Sequence, residues 1–334
     1  LEQYLPYIEQ AGHSYKVESL LDDNYLKHRF KTGKRNLFAY IKPLLNRLSL
    51  FWRVRQFDLV IICVEFLPYF PAIFEKYLKW INIPYIFDYD DPVFHYYDLS
   101  HNYFVRLFFG KKFNSVFKKS AHIIGGSPYL VNYAKQFNQQ VSYLPTVVSS
   151  AHYNQNKDFS TNRRFFTVGW IGSPSTSVYL KLIEPALEKI YLTENVKIIL
   201  IGAGSFSMES VTIELKEWSE QDEIKMMLDF DVGIMPLSND AWSEGKCGFK
   251  LIQYMACGLP VIASPVGVNN DIIENGCNGF LANTIDEWVQ ALRVLIYDVG
   301  LRESMGKNGR LRFEQHYSLA VTAPEFIKII NQFS

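Results

Sequence analysis

Short apolar runs recur along this chain of 334 residues, each followed by a stretch whose apolar residues return at helical spacing, and this alternation constrains the fold more than any other feature. It predicts a parallel α/β architecture. In the first half the pattern gives a helix at 1–12, a strand near Tyr15–Leu20, helices through 23–56 and a buried strand LVIICV at 59–64. A helix near 71–81 follows, then strand PYIFDY at 84–89, helices to about 119, strand HIIGG at 122–126, a helix at 128–138 and strand VSYLPTVV at 141–148. Residues 149–164, SSAHYNQNKDFSTNRR, are polar and aperiodic and read as a linker. The pattern then restarts, with strands at 165–172, 196–204, 231–237 and 260–266, helices at 175–191, 219–229 and 247–257, and a helical C-terminal region. Both halves read as doubly wound sheets, which bind ligands beyond the carboxyl ends of their strands.

Composition narrows the function classes. Apolar residues make up 48% and charged residues 20%, which excludes a disordered chain, and 34 Lys+Arg balance 34 Asp+Glu, which argues against a general nucleic-acid binder. Residues 1–150 nevertheless carry 18 basic and 12 acidic residues, so the second half is acidic. Cys63, Cys247, Cys257 and Cys277 form no CxxC pair, so neither a zinc ribbon nor a redox dithiol is supported, and a reducing compartment is indicated. The most apolar run, 59–74, is interrupted by Glu65, Pro68 and Pro71 and is too short to span a bilayer as a helix. The chain opens at Leu1 inside a helix-like segment, from which an upstream strand and its loop are expected to be missing.

Three motifs carry candidate chemistry. Gly202 and Gly204 follow strand VKIILI and either admit a phosphate to the backbone or form a tight turn; the third glycine of a dinucleotide fingerprint is absent. No GxxxxGK[ST] occurs, which excludes a P-loop NTPase. Strand FFTVGWIG ends at Gly172 and runs into Ser173, Pro174, Ser175 and Thr176, hydroxyls that cap a helix whether or not its amides also meet an anion. The third motif is Trp242-Ser243-Glu244-Gly245-Lys246-Cys247-Gly248-Phe249-Lys250, a Gly-rich loop entering the helix that ends at Cys257-Gly258. Lys246 and Lys250, four apart, are expected to share a helical face beside a positive helix terminus, suited to a diphosphate; a solvated helix start is the plain alternative.

This third motif, together with WIGSPST, FDVGIMPL, PVIASPVGVNNDIIENGCNGFLA and the Trp288 helix, resembles the donor domain of retaining family 4 glycosyltransferases (glycosyl transferases group 1), over residues 165–320. The resemblance implies a GT-B fold: two Rossmann-like doubly wound domains facing a cleft, with 1–150 an incomplete acceptor domain, 165–320 the donor domain and 321–334 a C-terminal helix returning to the first domain. It implies sugar transfer, with retention, from a nucleotide diphosphate sugar to a glycan or lipid-linked acceptor, with no metal or other cofactor. Many members carry two glutamates eight apart, and the matching positions here are Gly245 and Gln253, with Glu244 one residue off the first. On this basis Gly172, Ser173, Gly202, Gly204, Glu244, Gly248 and Gln253 are expected to bind donor, Gln253 through a ribose hydroxyl. Lys246, Lys250 and the amides near Gly172 and Ser173 would stabilise the leaving diphosphate. The position where members often place a histidine holds Asp90, expected to orient a hydroxyl, with Asp91 and His95 on the acceptor side. Asp88, Asp90 and Asp91 also resemble the metal-binding Asp-x-Asp of the other main glycosyltransferase fold, a weaker reading because the donor motifs lie in the carboxyl half. A non-catalytic nucleotide-sugar-binding subunit and a GT-B-type epimerase are the alternatives.

Two basic runs remain. Lys27, Arg29, Lys31, Lys34, Arg35, Lys42, Arg47, Arg53 and Arg55 occur without an intervening acid, interleaved with Phe30, Phe38, Tyr40, Leu44, Leu45, Leu48, Phe51 and Trp52; Arg106, Lys111, Lys112, Lys118 and Lys119 form the second. Either solvated helix faces or a surface for anionic membrane is expected, the latter placing a cytoplasmic protein on the inner face of the cell membrane.

Overall fold

The computed structural model describes residues 1–20, 41–160 and 164–333. They divide into two compact units: Leu1–Gly125 with Leu130–Tyr143 and Glu325–Ser334, and Gly126–Tyr129 with Leu144–Pro324. The first is built on a four-stranded parallel sheet of β1 (Val60–Cys63), β2 (Tyr85–Tyr89), β3 (His122–Gly125) and β4 (Val141–Tyr143), in the order β1-β2-β3-β4. Aromatic side chains fill its core. Phe87, Tyr89, Phe113 and Phe117 pack at centroid separations of 5.3–5.8 Å, and Phe94 stacks on Tyr133 at 3.7 Å. Both ends of the chain contribute to this unit: Tyr4 lies 4.5 Å from Phe326, and His13 Nε2 is 2.7 Å from Asn331 Oδ1.

The second unit holds a six-stranded parallel sheet of β5 (Phe166–Ile171), β6 (Val196–Ile201), β7 (Ile213–Lys216), β8 (Val232–Met235), β9 (Val261–Ala263) and β10 (Gly279–Leu281), in the order β10-β9-β8-β5-β6-β7. Its central strands β5 and β8 are buried on both sides because both faces are covered. Val168, Trp170, Ile198 and Leu200 point into one core with Leu187 and Leu292, whereas Ile171, Ile199 and Ile201 point into another with Leu251, Met255 and Phe313.

Several expectations change. The described residues of 12–20 form no strand. The expected helix over 23–56 is described only as Ile41–Arg53 followed by a 3-10 turn at Val54–Gln56, the rest lying outside the described residues. Strand 141–148 shortens to β4, since Pro145 has no N–H to give a ladder, and Val148 instead pairs singly with Ser318. Helix 175–191 opens as a 3-10 segment, Ser177–Ile183, and becomes α-helical at Glu184–Thr193, where Pro185 occupies a first-turn position. Edge strands β7 and β10 are absent from the sequence reading; β7 is no shorter than β8 and β10 no shorter than β9, but they are only partly buried and so lack the wholly apolar run that marks those two. The polar stretch 149–160 carries no helix or strand, yet Tyr153 and Lys157 in it are buried.

Candidate functional site

Strand order reverses between β5 and β8, so the loops leaving these strands diverge and open a crevice at the carboxyl edge of the sheet. β5 leaves through Gly172. A Cβ there would lie 2.6 Å from the Trp170 ring and 2.7 Å from Lys250 Cε, so only glycine lets the lysine stem cross the strand end. The Lys250 ammonium stands 5.2 Å from the centroid of the buried Trp170 ring, a placement that fixes the charge over the reversal point. β6 leaves through Gly202, whose φ of +74° and would-be Cβ 2.3 Å from the Gly172 carbonyl oxygen bring the two loops into contact.

The Gly-rich loop forms the opposite wall. Helix Ala241–Glu244 is capped by Asp240, whose Oδ1 accepts from the Ser243 amide at 2.8 Å and whose Oδ2 accepts from Ser238 Oγ. Lys246 follows, its ammonium 5.9 Å from the Tyr179 ring centroid and 5.7 Å from that of Trp242. Gly248, at φ +69°, precedes helix Phe249–Ala256 and has no side chain to cap it, so the start of this helix turns toward the loop without a capping oxygen from that residue. A Cβ on Gly248 would meet Ile272 Cδ1 at 2.3 Å. Next to it the side-chain oxygen of Asn269, a residue 1% exposed, is a buried acceptor with no hydrogen-bond donor among the described residues.

The expected donor residues fare unequally. Gly172, Gly202 and Lys250 converge, and Gly204 lies against Pro174, 3.1 Å from a would-be Cβ. The amides expected to stabilise a leaving group are otherwise engaged: Gly172 N–H donates to the Ile201 carbonyl at 3.0 Å and Ser173 N–H to Thr176 Oγ1 at 3.2 Å; the Gly202 N–H likewise donates to the Lys216 carbonyl at 2.9 Å. The β5–β6 ladder simply runs one residue further than the strand ends. Lys246 and Lys250 do not share a helical face, because the helix begins at Phe249 and the left-handed turn at Gly248 separates them. Glu244 closes the preceding short helix, half-buried, its carbonyl oxygen packed against Gly267.

Gln253 is also corrected. It is 4% exposed, and its NH2 group, expected to meet a ribose, donates to Tyr153 Oη at 2.8 Å. Tyr153 in turn donates to Glu223 Oε1 at 2.7 Å, and Trp218 Nε1 donates to Glu223 Oε2 at 2.8 Å. Burial and the Glu223 carboxylate drive the Tyr153 hydroxyl far above its ordinary range, so it stays protonated as a donor. Sequence reading missed Tyr153, Glu223 and Trp218; their only signal was a tyrosine in an otherwise polar stretch.

Asp90, Asp91 and His95 belong to the first unit, in the segment after β2. Asp90 is exposed, Asp91 half-buried, and His95 Nδ1 lies 2.8 Å from Asp98 Oδ1. Burial, with the charge of Asp90 adding to it, pushes the Asp88 carboxyl up to about 6. The Asp88–Asp91 cluster does not form a ligand set: among the described residues no group of three or more His, Cys, Asp or Glu side chains could hold a metal ion. No helix among the described residues is long and apolar enough to cross a membrane.

The Asp240 cap gives a pH prediction. Burial pushes its pKa up, but the hydrogen bonds from Ser238 and Ser243 outweigh this and hold it below 3.8. The charged form is favoured in the fold, so the stability it adds is complete above that value and fades as pH falls below it. Asp240→Ala is expected to cost about 1 kcal/mol at neutral pH. Thermal melts of both proteins from pH 7 down to 3 should show the difference in Tm closing at the acid end; a constant difference would assign the loss to packing.

Residues 163–298 match the family model of glycosyl transferases group 1. A sulfoquinovosyl transferase of Arabidopsis thaliana is 34% identical over 97 residues, 28% of this chain and 18% of that protein. The capsular polysaccharide biosynthesis glycosyltransferase CapM of Staphylococcus aureus is 27% identical over 146 residues, 43% of this chain and 33% of CapM. These alignments span a third or less of either relative's length. Among solved structures, Anabaena HepE in complex with UDP and glucose superposes with a TM-score of 0.68 at 15% identity, covering 85% of this chain and 80% of HepE. Sucrose-phosphate synthase of Thermosynechococcus elongatus gives 0.66 at 14% identity, covering 89% and 79%. The fold is therefore of the GT-B class, with two Rossmann-like domains.

Proposed function

We propose that this chain is a glycosyltransferase that moves a sugar from a nucleotide diphosphate sugar to a glycan or lipid-linked acceptor, with retention of configuration and no metal, in surface polysaccharide or glycoconjugate synthesis. The observation that carries the reading is the Lys250 ammonium held over Trp170 at the β5–β8 reversal, inside the segment that matches glycosyl transferases group 1. As the diphosphate departs, negative charge grows on it, and a cation already fixed in place stabilises that charge without reorganising. In this reading residues 165–320 hold the donor, Lys246 adds a second cation and Glu244 reaches the donor sugar. Residues 1–150 take the acceptor, which Asp90, Asp91 and His95 orient, and residues 321–334 return to the first domain. The four free cysteines suit a cytoplasmic location. That HepE was solved with UDP supports a uridine nucleotide as the first donor to try.

The test is a panel of nucleotide sugars with lipid-linked acceptors, analysed by mass spectrometry. A glycosylated acceptor, or slow donor hydrolysis without one, is expected. Tight binding with no turnover of any donor would favour a nucleotide-sugar-binding subunit, and interconversion of the donor without an acceptor would favour an epimerase.

A further inference from the structure

Helix Tyr103–Phe109, YFVRLFF, buries none of its residues. Tyr103, Phe104, Leu107 and Phe108 are 61%, 67%, 59% and 70% exposed, and at 100° per residue they fall on one face about 140° wide. Val105 and Phe109 on the other side are half-buried, Phe109 lying 6.2 Å from the Tyr97 ring, so the helix is rooted through two side chains and turns four large apolar ones outward. Its start is fixed as well: the Asn102 side chain accepts from the Phe104 amide at 2.9 Å. Isolated exposed apolar residues need no explanation, but four on one face of one short helix do.

The surroundings say what covers this face. From Leu99 to Lys119 the chain has no Asp or Glu, while Arg106, Lys111 and Lys118 are exposed and Lys119 half-exposed. Asp98, just before, faces His95. A second copy of the chain would bring these cations against themselves. A bilayer with anionic headgroups takes both, the apolar face at the acyl boundary and the cations at the phosphates.

We infer that helix Tyr103–Phe109 is a membrane-docking wedge that inserts Tyr103, Phe104, Leu107 and Phe108 into an anionic lipid surface, with Arg106, Lys111 and Lys118 at the headgroups. The basic run that is legible in the sequence supplies the charge of the device, and the inserting element is the aromatic helix Tyr103–Phe109, which carries Arg106 and is followed by Lys111. The inference does not depend on sugar transfer, because vesicle binding needs neither donor nor acceptor.

Flotation of the full chain with phosphatidylglycerol–phosphatidylcholine vesicles, against pure phosphatidylcholine, tests it. Binding to the anionic vesicles is expected at low salt. Phe104→Ser/Phe108→Ser should reduce it about tenfold or more, since each removes a buried ring from the interface. Lys111→Gln/Lys118→Gln should abolish the preference for anionic lipid. All four side chains are outward, and an unchanged circular dichroism spectrum and Tm would confirm that the variants fold. Failure to float with anionic vesicles, or binding unaffected by the double serine variant, would overturn the inference. So would light scattering that shows a dimer dispersed by the same variant, since the face would then belong to a second copy.

Discussion

Replacing Lys250 with Met is expected to weaken binding of a nucleoside diphosphate about a hundredfold, some 2.7 kcal/mol, while leaving the affinity for the parent nucleoside nearly unchanged. Methionine keeps an apolar stem across Gly172 and against Trp170, so the variant removes the charge and little of the packing. The loss falls on the diphosphate alone because the cation has no counterpart charge in a nucleoside. Calorimetry with UDP and uridine reads both terms on one protein. Equal losses for the two would take Lys250 out of the phosphate subsite and leave it a structural residue. Lys246→Met should lose less, since Lys246 lies in the loop before the helix and not across the strand end at Gly172, where the Lys250 stem passes.

The largest stability effect is expected from Lys157→Met. The Lys157 ammonium, its side chain 1% exposed, lies 3.1 Å from Asp231 Oδ1 and donates to the Leu228 carbonyl at 3.1 Å. Asp231, 9% exposed in its side chain, also accepts from the Thr167 amide at 2.8 Å, at the amino end of β5. Removing the cation leaves a buried carboxylate with its remaining partners and no opposite charge from Lys157, which costs about 3–5 kcal/mol. Adding Asp231→Asn should restore much of the loss, because the amide oxygen still accepts from Thr167 while the stranded charge is gone. Urea unfolding followed by circular dichroism measures both. A double variant no more stable than the single one would mean that geometry, and not charge, holds this corner.

The repeating α/β grammar is legible because the central strands, β2, β3, β5, β6 and β8, are almost wholly buried and therefore mostly apolar. The sequence did not reveal β7 and β10, which sit at the sheet edges and are only partly buried. The candidate site divides in the same way. Residue identity located Lys250, Gly172 and Gly202, since a lysine among glycines after apolar strands has few other uses. Hydrogen-bond partners are a property of the folded chain, and they moved the roles: the Gly172 and Ser173 amides were claimed by a ladder and a turn, and Gln253 by Tyr153. Position 157 was the hardest to read. A lysine in a polar stretch looks solvated until Asp231, 74 positions away, is found opposite it.

Tyr4 against Phe326 and His13 beside Asn331 tie the two ends of the chain into one unit. On a ribosome that arrangement imposes a delay. The strands of the first unit emerge early, but Glu325–Ser334 is made only after all of 144–324, which at ~5–20 residues per second takes roughly ten seconds or more. During that interval Tyr4 and His13 lack Phe326 and Asn331, while every element assigned to the second unit has already left the tunnel or is about to. Of the two units, the one that contains the earlier-made strands β1–β4 is also the one whose assembly finishes last, and helix Leu5–Gln10 is a segment that a nascent-chain chaperone would find open throughout that interval.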